Sequence, residues 1–235
     1  MQSFEKVSPI SLLETVLTTI RAKIIAGELK AGEWLPPERD MAEQMGVSRS
    51  SLHQAILELE YQGFVSVIPR RGTVVCDFRK YPTAQSLEAL MSNDSLNLEY
   101  SLFKDMMEFR LNVESECARL ACDNIYDSTL AEMEDILTEL SAPDADVADL
   151  IYSFHYKLTQ ASGNSMYSMV FRGFEAVIKN MIAHHFKIRP GDLEEGLTLR
   201  RELIALLKEK DAEGAAACVR KAVTQGINVL EMRYE

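Results

Sequence analysis

No stretch of the 235 residues approaches the roughly 20 consecutive apolar residues that a membrane-spanning helix requires. The first segment, MQSFEKVSPISLLETVL, is interrupted by Glu5 and Glu14 and lacks the unbroken apolar run of a secretory leader. A cytoplasmic protein without a membrane partner is therefore expected. Cysteine is scarce: Cys76, Cys117, Cys122 and Cys218 show no C-x-x-C pairing, which argues against zinc or disulfide frameworks and for buried thiols. Catalytic signatures are also missing. No Ser/His/Asp, Cys/His or glycine-rich phosphate-binding spacing accompanies any candidate base, so a DNA-associated enzyme using His155 as general base is a rival reading without partners in the sequence.

What is present is an ordinary globular composition, 47% hydrophobic and 26% charged, in a chain long enough for two domains. The net charge of −11 is unevenly distributed. Residues 1–80 carry ten basic and ten acidic side chains, leaving fifteen against twenty-six for residues 81–235. The acidic excess lies wholly in the second part, which DNA phosphates would repel, while the neutral first part can still present a local basic face.

In residues 10–26, Leu13, Leu17, Ile20 and Ile24 recur at helical spacing, with Ser8 or Ser11 as a start signal. LPPERDMAEQMG then predicts a helix of about two turns entered through Pro37 and closed by Gly46. Ser48 can cap a second helix whose buried stripe is Leu52, Ile56 and Leu59, ending at Gly63. Two short helices about a tight glycine turn form a helix-turn-helix pattern. FVSVIPRRGTVVCDF follows, with two β-branched runs around Pro69-Arg70-Arg71-Gly72, and predicts a hairpin tipped by arginines. Helical periodicity then dominates, with segments at 84–93, 98–123, 127–140, 144–162, 165–187, 192–209 and 211–232. The predicted fold class is mainly α: a winged helix-turn-helix over residues 1–79, a linker at 80–88, and an antiparallel bundle of about six to seven helices over 89–235.

The first turns of the second short helix carry Ser48, Arg49, Ser50, Ser51, His53 and Gln54, side chains suited to hydrogen bonding in a major groove. The run from Ile24 to Val75, with L-P-x-E-R, V-S-R and R-G-T, resembles the DNA-binding domain of the GntR family of bacterial transcription regulators. The resemblance implies that Arg39 and Arg49 contact double-stranded operator DNA and that Arg70 and Arg71 at the wing tip enter or flank the minor groove. His53 stands where relatives commonly carry another arginine. A neutral imidazole lacks the permanent charge and the fork of a guanidinium, so base preference or phosphate contact is expected to differ.

More loosely, EFRLNVESECARLA, FHYKLTQASGNSMYSMVF and LKEKDAEGAAACVRKAV resemble successive helices of the all-helical effector domain of the FadR subfamily. That resemblance implies a homodimer suited to palindromic half-sites. It also implies a ligand-responsive regulator with a small-molecule effector in the bundle, either an organic acid or an acyl-CoA. Many members hold a divalent metal with one aspartate and three histidines. Here His155 matches the first histidine, but Ile151, Arg200 and Ala222 stand at the other positions, so no metal or other cofactor is expected. His184 and His185 are adjacent on a helix, point about 100° apart, and lack an acidic partner at chelating spacing.

Without a metal, Arg200 and Arg110 are the candidates to neutralise an anionic effector, with His155 and Asn164 as further pocket residues. Met166, Met169, Phe171, Phe174 and Met181 could line an acyl tunnel or simply fill a core. An effector-blind dimeric DNA-binding protein is the remaining alternative.

Overall fold

The computed structural model describes residues 12–92 and 97–235, so Ser8 and Ser11 lie outside the described residues. The chain divides into two compact units, an N-terminal one that includes residues 97–99 and a C-terminal one that begins its helices at Tyr100.

Three helices make the N-terminal scaffold: α1 (Leu12–Ile25), α2 (Glu38–Met45) and α3 (Arg49–Tyr61). Helix α1 buries Val16, Ile20, Ile24 and Ile25. The predicted stripe is therefore displaced, because Leu13 is exposed and Leu17 only half-buried. The α3 stripe forms as expected, with Leu52, Ala55, Ile56 and Leu59 fully buried. Gly46 closes α2 in the left-handed region at φ 65°, where its N–H reaches back to the helix carbonyls. Ser48 caps α3 by accepting a hydrogen bond from Ser51 N at 3.1 Å.

The wing is β1 (Val65–Ile68) paired antiparallel with β2 (Gly72–Val75), in register Val65 opposite Val75. The segment entering α2 adds a short third rung, with Leu35 N donating to Thr73 O at 2.9 Å and Val75 N to Glu33 O at 2.9 Å. Arg70 at the tip adopts φ 65°, a strained conformation for a residue with a Cβ. The helical segment expected over 84–93 forms as α4 (Ala84–Met91), overlapping the expected linker at 80–88, and is set by a reciprocal capping box between Thr83 and Ser86. The Thr83 hydroxyl also donates to Gln62 O at 2.9 Å, which fastens α4 to the end of α3.

The C-terminal unit is a bundle of α5 (Tyr100–Asn124), α6 (Asp127–Leu140), α7 (Val147–Ala161), α8 (Ser165–Gly173), α9 (Glu175–Ile188), α10 (Asp192–Glu209) and α11 (Ala212–Glu231). Its core runs from Ala118 and Cys122 of α5 through Met133, Phe154 and Leu158 to Leu203 and Val219. The helix predicted over 165–187 is two helices, because the chain breaks at Phe174 (φ −89°, ψ 12°) directly after Gly173. All four cysteines are free thiols; Cys117, Cys122 and Cys218 are buried and Cys76 half-buried. Among the described residues no helix is long and apolar enough to cross a membrane.

A Cβ built at Gly46 meets nothing within 4 Å, so only the backbone conformation resists substitution there. We expect Gly46→Ala to destabilise the N-terminal unit by about 1–2 kcal/mol, with Gly46→Asn closer to wild type, measured by urea denaturation.

Candidate nucleic-acid interface and ligand cavity

Burial of Leu52, Ala55, Ile56 and Leu59 turns the opposite face of α3 to solvent. On it Arg49, Ser50, His53 and Gln54 are exposed and Ser51 is half-buried. Arg49 and His53 stand one helical turn apart and share a face. The serine hydroxyls form a local cluster, with Ser48 Oγ 2.9 Å from Ser50 Oγ and 2.8 Å from Ser51 Oγ. Arg39 is exposed and pairs with Asp40 at 3.0 Å, an exposed contact weak enough to be exchanged for a phosphate. Arg70 and Arg71 are both exposed on the wing. Arg71 lies over the ring of Trp34, 5.8 Å from its centroid, a support that sequence reasoning missed. Glu38, at the start of α2, was missed as well; its carboxylate oxygens lie 3.1 and 3.2 Å from His53 Nδ1.

In the C-terminal unit, α5, α7, α9, α10 and α11 surround a cavity of about 310 Å³. Arg110, Ile151, His155, Arg200 and Ala222 all line it, although they are scattered over more than a hundred residues. Arg110 and His155 meet on one carboxylate that the sequence reading passed over. Glu114 is fully buried, accepts the Arg110 Nε–H, and meets Nδ1 of His155. Burial alone would raise its carboxyl, but the Arg110 guanidinium and the His155 ring hold it down to about 2. The spacing Arg110-x-x-x-Glu114 was the available signal, since i,i+4 pairs of this kind face one another on a helix.

His155 Nε2 lies 3.2 Å from Arg200 Nη2. A guanidinium only donates, so Nε2 accepts and the ring proton belongs on Nδ1, facing Glu114. Burial, with Arg200 and Arg110 nearby, pushes the His155 ring below its ordinary range against the pull of Glu114. Arg200 itself is 8% exposed, gives Nη1 to Gly196 O at 3.0 Å, and leaves a buried Nε without a partner. Among the described residues no carboxylate forms an ion pair with it, and burial lowers its guanidinium to about 10. A cation in this position is costly until an anion joins it.

The residues at the subfamily's metal positions do not suit a divalent ion. Ile151 and Ala222 have no donor atom, Arg200 is itself a cation, and the Nε2 electron pair of His155 is already engaged by Arg200. His185 lines the cavity and pairs with Asp192 at 3.1 Å, whereas His184 is not part of the lining. Asn164 is a correction to the expected pocket set: it is exposed and caps α8 through a bond from Met166 N at 3.0 Å, away from the cavity. The supposed acyl-lining stripe divides. Met166 and Met169 are exposed, whereas Phe171, Phe174 and Met181 line an adjoining apolar cavity of only about 30 Å³ that shares Met181 and Arg110 with the larger one.

Residues 12–75 match the bacterial regulatory proteins of the gntR family, and residues 105–225 match the FCD domain. The chain is 25% identical over 191 residues to the fatty acid metabolism regulator protein of Proteus mirabilis, covering 81% of this chain and 78% of that protein. It is 31% identical over 195 residues to an Escherichia coli K12 regulatory protein named for the L-lactate dehydrogenase operon, covering 76% and 69%. A solved structure titled for Lar, a protein controlling the agr system of Listeria monocytogenes, covers both chains completely with a TM-score of 0.59 at 20% identity, which supports the fold.

The buried network makes stability depend on pH. Folded His155, kept neutral, refuses a proton that the unfolded chain binds below about pH 6.5, so stability falls as the pH drops through that value. Glu114 contributes with the same sign at lower pH: stabilisation present above its ordinary 4.5 is lost as the pH falls toward about 2. We expect His155→Gln to flatten the stability profile between roughly pH 7 and 5 by at most about 1.4 kcal/mol per pH unit, read from urea midpoints at several pH values.

Proposed function

The chain belongs to the gntR family of bacterial regulatory proteins and carries an FCD domain, and from that premise we propose that it binds a palindromic operator as a homodimer whose grip changes when a small organic anion enters the helical cavity. It is a transcription regulator with a DNA-binding helix-turn-helix, and its relatives are regulators, not enzymes. The observation that carries the effector reading is Arg200, a buried guanidinium on the wall of a cavity of about 310 Å³ with neutral hydrogen-bond partners at both terminal nitrogens and no carboxylate beside it among the described residues. A carboxylate or phosphate would supply the missing counter-charge. Arg110, committed to Glu114, borders the same space and adds positive potential without being free to move.

The relatives are named for what they regulate, fatty acid metabolism and an L-lactate dehydrogenase operon, and the two candidate effector classes are an acyl-CoA and a small organic acid. The cavity favours a compact acid over an acyl-CoA, since its volume is at the small end for a ligand site and the apolar crevice beside it is about a tenth as large. The effector would bind without a metal, because Arg200 supplies the positive charge and occupies the histidine electron pair a metal would need. On the DNA side, Arg49 is the foremost base or phosphate contact, with Arg39, Ser48, Ser50, Ser51, Gln54, Arg70 and Arg71 around it. An effector regulates such a dimer only by binding one of its states more tightly.

The effector reading is tested by thermal-shift screening of small carboxylates and phosphates with and without a chelator. We expect at least one anion to stabilise wild type equally in both conditions and to have no effect on Arg200→Met. Loss of the shift on chelation would show that a metal is needed after all. Arg49→Ala is expected to weaken specific operator binding by about 1–3 kcal/mol, measured by fluorescence anisotropy, with the dimer unchanged in sedimentation.

A further inference from the structure

Within the DNA-binding unit, one contact has a chemical direction that the arginines around it lack. His53 is exposed on α3, on the face that also carries Arg49, and its Nδ1 lies between the two carboxylate oxygens of Glu38, at 3.1 and 3.2 Å. Glu38 is held by its surroundings. It opens α2 directly after Pro36 and Pro37, with Pro37 fixed at φ −52°, and the positive end of that helix favours its charge. An acidic group on a DNA-facing surface is repelled by phosphate, so its presence there calls for a local partner, and His53 is that partner.

A carboxylate accepts and never donates, so the contact assigns the ring proton to Nδ1. In a neutral imidazole the other nitrogen, Nε2, then carries an electron pair and acts as an acceptor. Acceptors in the major groove are matched by amino groups, N6 of adenine and N4 of cytosine. Guanine offers only acceptors on that edge. Resting on the DNA-binding reading above, we propose that Glu38 and His53 act as a base-reading pair, in which Glu38 fixes the tautomer and His53 Nε2 accepts a hydrogen bond from adenine or cytosine. His53 determines specificity in this arrangement, and Glu38 is a positioning residue that acts through it. The sign is opposite to that of the neighbouring guanidinium of Arg49, which donates and suits guanine.

The test is selection of operator sequences from a randomised duplex library with the full-length protein at about pH 8, where a free imidazole is neutral. Wild type, Glu38→Gln, His53→Arg and His53→Ala are compared. Wild type should enrich adenine or cytosine at one position in each half-site, and His53→Arg should convert that position to guanine. His53→Ala should relax it by about fivefold, the weight of one hydrogen bond. Glu38→Gln should also relax it, because an amide can either donate or accept and no longer dictates the tautomer, while the other positions keep their preferences.

Nitrogen-15 NMR of the His53 ring supplies a readout that a merely structural role for Glu38 would not move: the proton resides on Nδ1 in wild type and redistributes in Glu38→Gln. Guanine in the wild-type site at the position that His53→Arg alters would overturn the proposal, as would a Glu38→Gln variant with unchanged tautomer and base preference. Failure of wild type to enrich any sequence would instead overturn the operator-binding reading on which it rests.

Discussion

The C-terminal unit is organised around a carboxylate that water cannot reach. Glu114 on α5 is fully buried, and an isolated anion there would be untenable. Arg110 from its own helix and His155 from α7 make it acceptable. The direction of charge and proton then follows in sequence. The carboxylate keeps the imidazole proton on Nδ1, the imidazole offers Nε2 to Arg200 of α10, and Arg200 is left with positive charge facing the cavity and no acid of its own. Three helices are thereby joined by polarity as well as by packing. A ligand that neutralised Arg200 would act on all of them, which gives an effector a physical route from one side chain to the arrangement of the bundle.

The same economy of partners distinguishes the two halves. The N-terminal unit presents its polar side chains at the surface, where Arg49 and Gln54 are free to meet a partner and Arg39 is lightly held by Asp40. The C-terminal unit keeps its decisive charges inside and places its acidic surplus around them. A polyanion such as DNA would therefore be repelled chiefly by the half whose chemistry faces inward.

Much of this was legible in the sequence where periodicity and punctuation agree. The α3 stripe, the glycine closing α2, the arginine-tipped hairpin and most helix limits follow from residue spacing alone. In α1 several apolar residues compete for the buried face, and tertiary contact chose Val16 over Leu13. The break at Phe174 escaped because apolar periodicity continues through it. His155 and Arg200 could be paired only through a resemblance, since 45 positions separate them. Glu114 was hidden because a buried glutamate four residues from an arginine has the pattern of a solvated ion pair, and only the fold distinguishes the two. Asn164 shows the converse error: after Gly163 in the left-handed region it is ordinary helix punctuation, not a pocket residue.

Thr83 carries the N-terminal unit past its wing. Its hydroxyl serves two helices at once, accepting from Ser86 N to start α4 and donating to Gln62 O at the close of α3. Its methyl packs where a Cβ on Gly63 would stand, 3.0 Å away. A fragment cut at residue 79 would remove this clasp and leave the Gln62 carbonyl at the close of α3 without its donor. Modularity in this chain is thus coarser than the helix-turn-helix motif suggests: the piece that could be exchanged between regulators by recombination or by engineering is the motif, its wing and α4 together with residues 97–99, whose Glu99 N–H donates to Ile25 O at 3.0 Å and whose carboxylate pairs with Arg79.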